Sequence, residues 1–290
     1  MGAYGLFLVN GLAVGAIYAL SGVGLVVLYR ATGVLNLAYG AIGAAGAMLA
    51  WELMDRGHPE ATGWLVAVAT ATALSLAYGR LIAPRLAWRE PVVKAVATLG
   101  FAMMVLAVMN WTWVEAPRKL TLTSDGTAVT VLGLRLTLTR LAALVAAVVV
   151  TVAVAGFLRL TRTGLDMRAL ANDRDLAALL GVRVARTETV AWAISGVLAG
   201  LSGMLFADLV RLNPTVLTFL VIPAVAAAIT GRLESLFATL AGGLFIGVVE
   251  SMATLAKPVA PFRAAAPFVV AALLMLWFQR RRRLTFAGRD

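Results

Sequence analysis

The chain has 290 residues, of which 61% are hydrophobic and 13% charged, and its mean hydropathy is +0.92. Because soluble domains carry about a quarter charged residues, this composition indicates a polytopic membrane protein. The absence of cysteine excludes disulfides, thiolate nucleophiles and zinc–thiolate sites. The single histidine, His58, stands in a polar stretch, where a solvated side chain is far more common than a metal ligand.

Apolar runs long enough to cross about 30 Å of hydrocarbon recur along the whole chain and predict one all-α transmembrane domain over residues 1–290, with about eight or nine spanning helices. The first run is too long for the core of a signal peptide and predicts a retained helix. The second run is rich in glycine and the seventh is short, so either of them could be broken or re-entrant rather than a full span. The runs lie at about 5–29, 33–51, 64–83, 93–114, 140–160, 187–210, 216–231, 234–255 and 264–279.

The arginines and lysines predict the orientation of these runs. With the amino terminus outside and the carboxyl terminus in the cytoplasm, most of the 25 basic residues lie on the inner side, as the positive-inside rule requires. The net charge of +11 therefore has a topological explanation, and we expect no nucleic-acid partner. The basic residues that this orientation places inside are Arg30, Arg80, Arg85, Arg89, Lys94, the six arginines between 159 and 186, Arg232, Arg280 to Arg283 and Arg289.

The loop over residues 115–139 lies on the outer side in this orientation. Its threonines alternate with leucine and valine around Ser124-Asp125-Gly126, and Asp-Gly between alternating segments is a hairpin signal. We predict a small β-hairpin or extended lid there. Such a loop is either a simple connector or a docking surface for an external partner.

The inner loop over residues 161–187 contains a short predicted helix, from Asp173 to Leu180. Asn172 or Asp173 can cap its start, and Gly181 suits the left-handed position after its end. On a helical wheel, one arc holds mostly apolar side chains, and a helix of about eight residues is not stable alone in water. Its apolar arc must therefore pack against the inner ends of the protein's own helices, lipid headgroups, or a groove of a cytoplasmic partner. The arc consists of Ala169, Asp173, Leu176, Ala177 and Leu180.

The spans show little that could drive transport or catalysis. The sequence has no P-loop, nucleophile elbow, zinc-protease motif or paired carboxylates, which disfavours hydrolysis. The centres of the runs are almost free of titratable groups, which disfavours a proton-coupled carrier, although a sodium-coupled carrier could use backbone carbonyls. An energy source on another subunit is the simpler interpretation.

Glycines are frequent in the spans, and each has two possible roles. Close helix packing is the general one, and the spacing of Gly243 and Gly247 fits it. A broken backbone that lines a passage is the other role, which we favour where the runs are short or interrupted. Packing glycines are predicted at Gly196, Gly200, Gly203, Gly242, Gly243 and Gly247, and passage glycines at Gly40, Gly43 and Gly231.

Four stretches together resemble the permease subunits of ABC importers for branched-chain amino acids and related small polar solutes, and the H-type (LivH-like) subunit in particular. They cover essentially the whole chain in the family's order. Their sequences are "NGLAVGAIYALSGVGLVVLYRATGVLNLAYGAIGAAGA" (10–47), "MRALANDRDLAALLGVRV" (167–184), "AISGVLAGLSGML" (193–205) and "AAAITGRLESLFATLAGGLFIGVVES" (226–251).

The resemblance implies a heteromeric importer in the plasma (inner) membrane of a bacterium or archaeon. A periplasmic or lipid-anchored solute-binding protein would deliver solute, and a second, LivM-like permease would complete the path. Two ATP-binding subunits would hold ATP and Mg²⁺, so this chain itself would bind no cofactor and would not be an enzyme. The resemblance assigns ATPase coupling to Asp173, Leu176, Ala177, Leu180 and Gly181, and the translocation path to Asn36, Tyr39, Gly40 and Gly231.

The chain also departs from the family pattern near the predicted path. Tyr39 and Ala41 stand where H-type members often have His and Glu, and Arg232 and Glu234 replace glycines. Phe237 and Ala238 replace proline and glycine in the same hairpin. These departures leave the solute open among branched-chain amino acids, urea, short amides and aromatic acids. A stand-alone ion-coupled amino-acid carrier is the alternative function, and a homodimeric or heterodimeric permease core is equally compatible with the sequence.

Overall fold

The computed structural model describes residues 2–113, 118–126, 128–131, 134–210, 212–255 and 260–282, and these are almost entirely helical. The predicted all-α membrane fold is confirmed. The α-helices are α1 (Gly2–Thr32), α2 (Tyr39–Asp55), α3 (Glu60–Ala77), α4 (Pro91–Thr112), α5 (Leu138–Leu160), α6 (Arg162–Asn172), α7 (Arg174–Leu179), α8 (Val184–Leu209), α9 (Pro214–Thr218), α10 (Val221–Thr230), α11 (Leu236–Ala253) and α12 (Ala266–Arg282).

Six helices of the described residues are long and apolar enough to cross a membrane. They are α1, α3 with its continuation to Leu86, α4, α5, α8 and α11. The remaining predicted runs appear as shorter elements, namely α2, the pair α9–α10, and α12. The fold therefore combines full-length spans with broken ones.

Helix α1 lies at the centre of the bundle. Its most apolar window is 89% buried and that of α8 is 72% buried, whereas the other long helices reach only 22–28%. Helices α1 and α11 form the most extensive helix pair. Their backbones nearly touch, since a Cβ added to Gly247 would lie 2.3 Å from the backbone nitrogen of Gly15. The predicted packing role of Gly243 and Gly247 follows from this approach.

The contacts of α1 define two ends of the bundle. At one end Ser251 donates a hydrogen bond to the carbonyl of Phe7 (2.6 Å), and at the other Arg30 donates to the carbonyl of Glu234 (3.2 Å). Helices α1 and α11 are therefore antiparallel. We name the end that holds Arg30 the basic end, because α6, α7 and many arginines lie there, and the opposite end the hairpin end.

Two segments cross between these ends with an interrupted backbone. Residues 33–38 form no helix and connect α1 to α2, with Val34, Asn36 and Ala38 buried and Gly33 exposed. Residues 219 and 220 separate α9 from α10 in the segment that returns from the hairpin end of α8 to the basic end of α11. Both segments that the sequence left open as broken or re-entrant thus connect the two ends of the bundle.

The loop before α5 contains a two-stranded antiparallel hairpin, β1 (Ala128–Val131) and β2 (Leu134–Thr137), with Val131 opposite Leu134. The predicted hairpin is confirmed. The predicted position of its turn, at Asp125-Gly126, is wrong, because residues 123–126 form a 3-10 turn before the strands. That turn is held to the bundle by two carboxylates. Glu60 accepts a hydrogen bond from the backbone N–H of Thr123 (2.7 Å), and Asp208 accepts one from Leu122 (3.2 Å). Residues 114–117, 127 and 132–133 of this predicted loop lie outside the described residues.

Helix α3 ends in a π-helical turn, Tyr78–Ile82, and a 3-10 turn, Ala83–Leu86. The π turn lies where α3 meets α8. A Cβ on Gly79 would come within 2.4 Å of the Trp192 ring, so a residue with any side chain would not fit against α8 here. π-helical turns of this kind are frequent at functional sites.

Candidate coupling helix and membrane break

The short helix α7 is defined by its two caps. Asp173 has an extended backbone, and its carboxylate accepts a hydrogen bond from the backbone N–H of Leu176 (2.9 Å). At the other end Gly181 has φ +88°, the left-handed conformation that favours glycine. The N–H groups of Gly181 and Val182 bond to the carbonyls of Ala178 and Ala177 (3.0 and 3.1 Å), which is a Schellman motif. The predicted helix, its Asp173 cap and its Gly181 terminus are confirmed.

The leucines of α7 are exposed. Leu179 is 84% exposed, Leu180 77% and Leu176 51%, whereas Ala177 is buried against the rest of the protein. The helix therefore packs on Ala177 and presents three leucines outward at the basic end. Leu179 is the residue that sequence reasoning missed, because the helical wheel placed it off the apolar arc.

The helical wheel also placed Ala169 on that arc, and this assignment is wrong. Ala169 belongs to α6, and the extended backbone of Asp173 (φ −153°) separates α6 from α7. Helix α6 was not predicted as a separate element, although Thr161 caps it by accepting a hydrogen bond from the N–H of Gly164 (3.0 Å). The signal for this cap in the sequence, a threonine at the start of the basic loop, is weak but present.

Two cavities flank α7 at the basic end. One, of about 300 Å³, lies between α7, α8 and the π turn and is lined by residues that include Arg80, Arg174 and Glu188. The other, of about 430 Å³, lies between α6, the 180–183 segment that follows α7, and the start of α8, with Arg183 and Arg186 in its wall. The short helix thus stands out from the bundle instead of being covered by it.

Three of the four predicted path residues lie at the break between α1 and α2. Asn36 is buried, and its Oδ1 accepts a hydrogen bond from the N–H of Ala38 (3.0 Å), which starts the turn into α2. Its Nδ2 has no hydrogen-bond partner among the described residues. Tyr39 is also buried, with its hydroxyl 3.3 Å from that of Ser202 on α8.

Gly40 joins this break to the second one. A Cβ on Gly40 would lie 2.0 Å from the carbonyl oxygen of Thr218, the last residue of α9. The start of α2 and the gap between α9 and α10 therefore meet inside the protein. Backbone that is not helical at membrane depth is tolerated only where protein or a cavity surrounds it, and in transporters it often forms the solute path.

Gly43 lies one turn further along α2 and packs on α8, since its added Cβ would be 2.6 Å from the carbonyl oxygen of Ala199. The backbone is helical at this position, as it is at Gly40. The expectation of a broken backbone at Gly40 and Gly43 is therefore wrong, because the helix has already resumed at Tyr39 and both glycines serve close packing.

The fourth predicted path residue, Gly231, lies apart from the other three, in the turn between α10 and α11 at the basic end. A Cβ there would meet the hydroxyl of Thr239 at 2.2 Å, so this glycine allows α10 to approach α11 closely. None of the four predicted path residues has an exposed surface in this conformation. Their role in the path stays a prediction.

The next two residues of this turn are strained. Arg232 and Leu233 both have positive φ (55° and 56°), which costs about 1–2 kcal/mol for a residue with a Cβ. Arg232 is exposed, whereas Leu233 packs against the core.

We therefore expect Arg232→Gly to raise the free energy of unfolding by up to about 1 kcal/mol, because glycine relieves the strain without loss of buried surface. Leu233→Gly is the matched control and should lower stability, since it also removes a leucine worth about 1.5–3 kcal/mol of burial. Thermal unfolding of the purified protein in detergent measures both. A destabilised Arg232→Gly variant would show that the arginine side chain matters more than the backbone strain.

The described residues contain no group of three or more His, Asp or Glu side chains that could hold a metal ion. The features that the described chain brings together are an exposed capped helix at the basic end and two joined breaks inside the bundle.

The comparison with known proteins gives these features a context. Residues 7–278 match the family described as branched-chain amino acid transport system, permease component. The chain is 27% identical over 264 residues to the high-affinity branched-chain amino acid transport system permease protein LivH of Escherichia coli K12, and the match covers 84% of each chain. It is 26% identical over 262 residues to the corresponding protein BraD of Pseudomonas aeruginosa, again with 84% of each chain covered.

A solved structure, PsaBC from Streptococcus pneumoniae in complex with Fab, shares the fold. The TM-score is 0.50 at 15% identity, and the match covers 93% of this chain and 90% of that one. Sequence and fold agree over nearly the full length, and the match to the H-type subunit expected from the sequence is confirmed. The chain belongs to the family of permease components of branched-chain amino acid transport systems.

Proposed function

We propose that this chain is a membrane-spanning permease subunit of an ABC importer and forms, with a second permease, the path for a branched-chain amino acid or a related small polar solute. ATP-binding subunits dock on α7 at the basic end, and they hold the ATP and Mg²⁺. The chain itself binds no cofactor and catalyses no reaction. A periplasmic or lipid-anchored binding protein delivers solute at the hairpin end.

The observation that carries this proposal is the exposure of the α7 leucines. Leu176 and Leu179 are exposed on a helix of six residues whose two ends are capped, and Leu180, the residue that follows it, is exposed as well. A helix this short depends on its caps and on packing, and exposed leucines next to charged residues are typical of a helix that enters a groove of a partner protein. If a groove of an ATPase subunit binds these leucines, α7 and that subunit would move together.

The positions of the arginines support a proposal for which end of the bundle faces the cytoplasm. The basic end carries Arg30 at the end of α1, Arg159 at the end of α5, and the arginines of α6 and α7. By the positive-inside rule this end faces the cytoplasm of a bacterium or archaeon, which places the amino terminus outside. The carboxyl-terminal arginines from 283 onwards lie outside the described residues and follow the same prediction.

The hairpin end supplies a firm surface for the binding protein. Glu60 and Asp208 hold the 122–123 backbone, and the Arg118 guanidinium lies 4.6 Å from the centre of the Trp51 ring. Arg118 also pairs through its backbone with Leu212, which follows α8. The loop is thus tied to α2, α3 and α8, so a protein that docks on it would act on three helices together.

Inside the bundle, Asn36 offers the path a polar group. Its amide oxygen accepts a hydrogen bond from the Ala38 N–H, but its amide nitrogen has no partner within the described part of the chain, and a buried unpaired donor is costly. A solute carboxylate or carbonyl that passes this point could accept that hydrogen bond.

Asn36→Ser separates the two roles of this side chain. A serine hydroxyl can still accept the hydrogen bond from residue 38 but cannot reach where Nδ2 lies. We expect thermal stability close to that of the parent chain and solute uptake reduced by about tenfold. Asn36→Leu, the control, should lose both stability and uptake. Full uptake by Asn36→Ser would exclude the amide nitrogen as a solute ligand.

Single-cysteine labelling tests the proposed docking, since the chain has no cysteine of its own. Leu179→Cys should react with a membrane-impermeant maleimide only in inside-out vesicles, and bound ATPase subunits should protect it. Thr121→Cys, at the exposed hairpin end, should react only from the opposite side and without protection. Labelling of Leu179→Cys that is unaffected by the ATPase subunits, or that occurs from the outside, contradicts the proposal.

A further inference from the structure

Arg174 and Glu188 form an ion pair between α7 and α8. Arg174 is the first residue of α7, and Glu188 lies in the second turn of α8. Of the two ion pairs found among the described residues, this one joins two separate helices, whereas Glu52–Arg56 links neighbouring turns at the end of α2. Both side chains are largely shielded from water, at 28% and 16% exposure, so this pair is less screened than a surface pair.

A second cation and the start of the membrane break surround the same pair. Lys94 of α4 lines a small cavity together with Arg174, Glu188, Val34 and Trp192. The Glu188 carboxylate therefore faces cations from two elements. Val34 is the second residue of the interrupted stretch between α1 and α2. The ion pair therefore lies beside the start of the break, at the basic end.

One turn beyond Glu188, α8 is locked to α3. The Trp192 ring packs against Tyr78 of the π turn with ring centres 5.1 Å apart. The Trp192 carbonyl accepts a hydrogen bond from the Ser75 hydroxyl (2.7 Å), and Gly79 leaves no space beside the ring. A shift of α8 at this level must move the end of α3 with it.

Further along α8, the same helix reaches the path residues. The Ser202 hydroxyl is 3.3 Å from that of Tyr39, and Gly203 packs against the backbone of Gly43. Helix α8 is therefore in contact with the ion pair at its start and with α2, just after the break, near its other end. It is also among the most buried helices, so it cannot move independently of its neighbours.

We propose that the Arg174–Glu188 ion pair is the joint that transmits movement of α7 to α8 and, through α8, to the break at residues 33–38. Arg174 and Glu188 are positioning residues that touch neither ATP nor solute. Without the pair, α7 can still enter an ATPase groove, but its displacement is no longer passed to the bundle. This inference rests on the proposed function, because it presupposes an ATPase docked on α7.

The test is a charge swap in the complete importer, purified with its ATPase subunits and second permease and reconstituted in liposomes. Arg174→Glu and Glu188→Arg should each lower solute-stimulated ATP hydrolysis by about tenfold. The double variant should recover part of it, because the ion pair is restored although Lys94 then faces an arginine. Arg56→Gln, which breaks the other ion pair and keeps the hydrogen bond from Trp113 to Glu52, is the control and should change nothing. A double variant as impaired as the single variants, alongside an unaffected control, overturns the inference.

The neutral double variant Arg174→Gln/Glu188→Gln guards against misfolding, because neither partner of the pair is left as an unpaired charge and Lys94 is only partly buried. We expect it to keep the melting temperature and the bound ATPase subunits and to lose solute stimulation. Full solute stimulation of ATP hydrolysis in this variant would overturn the inference that the ion pair transmits movement, and it would leave the proposed function intact. Failure of the parent chain to bind any ATPase subunit would instead reject the proposed function.

Discussion

Leu179→Asp is expected to reduce solute-stimulated ATP hydrolysis of the assembled importer by at least about tenfold, the effect of removing a central apolar contact from a protein interface. Leu179 is the most exposed leucine of α7, so the isolated chain loses almost no packing when it is replaced. In the complex, however, the new carboxylate would be buried in an apolar groove, which costs several kcal/mol unless it is paired. Leu176→Asp, at 51% exposure, should act in the same direction.

Two control variants distinguish a loss of docking from a loss of stability. Leu179→Met keeps an apolar side chain of similar volume and should leave coupling nearly unchanged. Ala177→Asp, on the buried side of the helix, should instead lower the melting temperature of the chain itself. If Leu179→Asp hydrolyses ATP in response to solute as the parent does, α7 is not the docking helix.

Gly40→Ala is expected to destabilise the protein by about 3 kcal/mol or more, a large value for a single added methyl group. The new Cβ would be 2.0 Å from the carbonyl oxygen of Thr218, so the start of α2 and the end of α9 must separate. Because this contact joins the two interrupted segments, uptake should fall together with stability.

Gly100→Ala provides the matched substitution. Gly100 lies in α4, and nothing is within 4 Å of its added Cβ. Alanine is the better helix former by about 1 kcal/mol, so this variant should be as stable as the parent or more so. Thermal unfolding and uptake measured on both variants separate a packing effect at the break from a general effect of alanine. Equal stability of the two variants would mean that the breaks are not in close contact.

The features that the sequence predicted well are those determined locally. Asp173 and Gly181 define α7 through hydrogen bonds and backbone conformation within ten residues, and apolar length defines the long spans. Which face of α7 packs against the protein depends on the surrounding helices. A helical wheel therefore could not show that Ala177 is buried and Leu176 exposed. The family resemblance added the order of the motifs, which no single span carries.

The features that the sequence missed depend on distant contacts. The backbone at residues 122 and 123 is held by Asp208 and Glu60, which are far away in the chain, and the hairpin turn lies beyond Asp125-Gly126. Gly40 was predicted at a passage, but its contact with Thr218 joins segments almost 180 residues apart. The Arg174–Glu188 pair was likewise not visible, since charged residues of the basic loop were read only for their sign.

Uptake into proteoliposomes tests the central claim that transport is driven by ATP on separate subunits. The complex would be reconstituted with its ATPase subunits and binding protein, with ATP on the ATPase side and radiolabelled leucine, then urea, as probes. We predict uptake that requires both ATP and the ATPase subunits and that an ion gradient cannot replace. Uptake by this chain without any ATPase, driven by a sodium or proton gradient, would contradict the account.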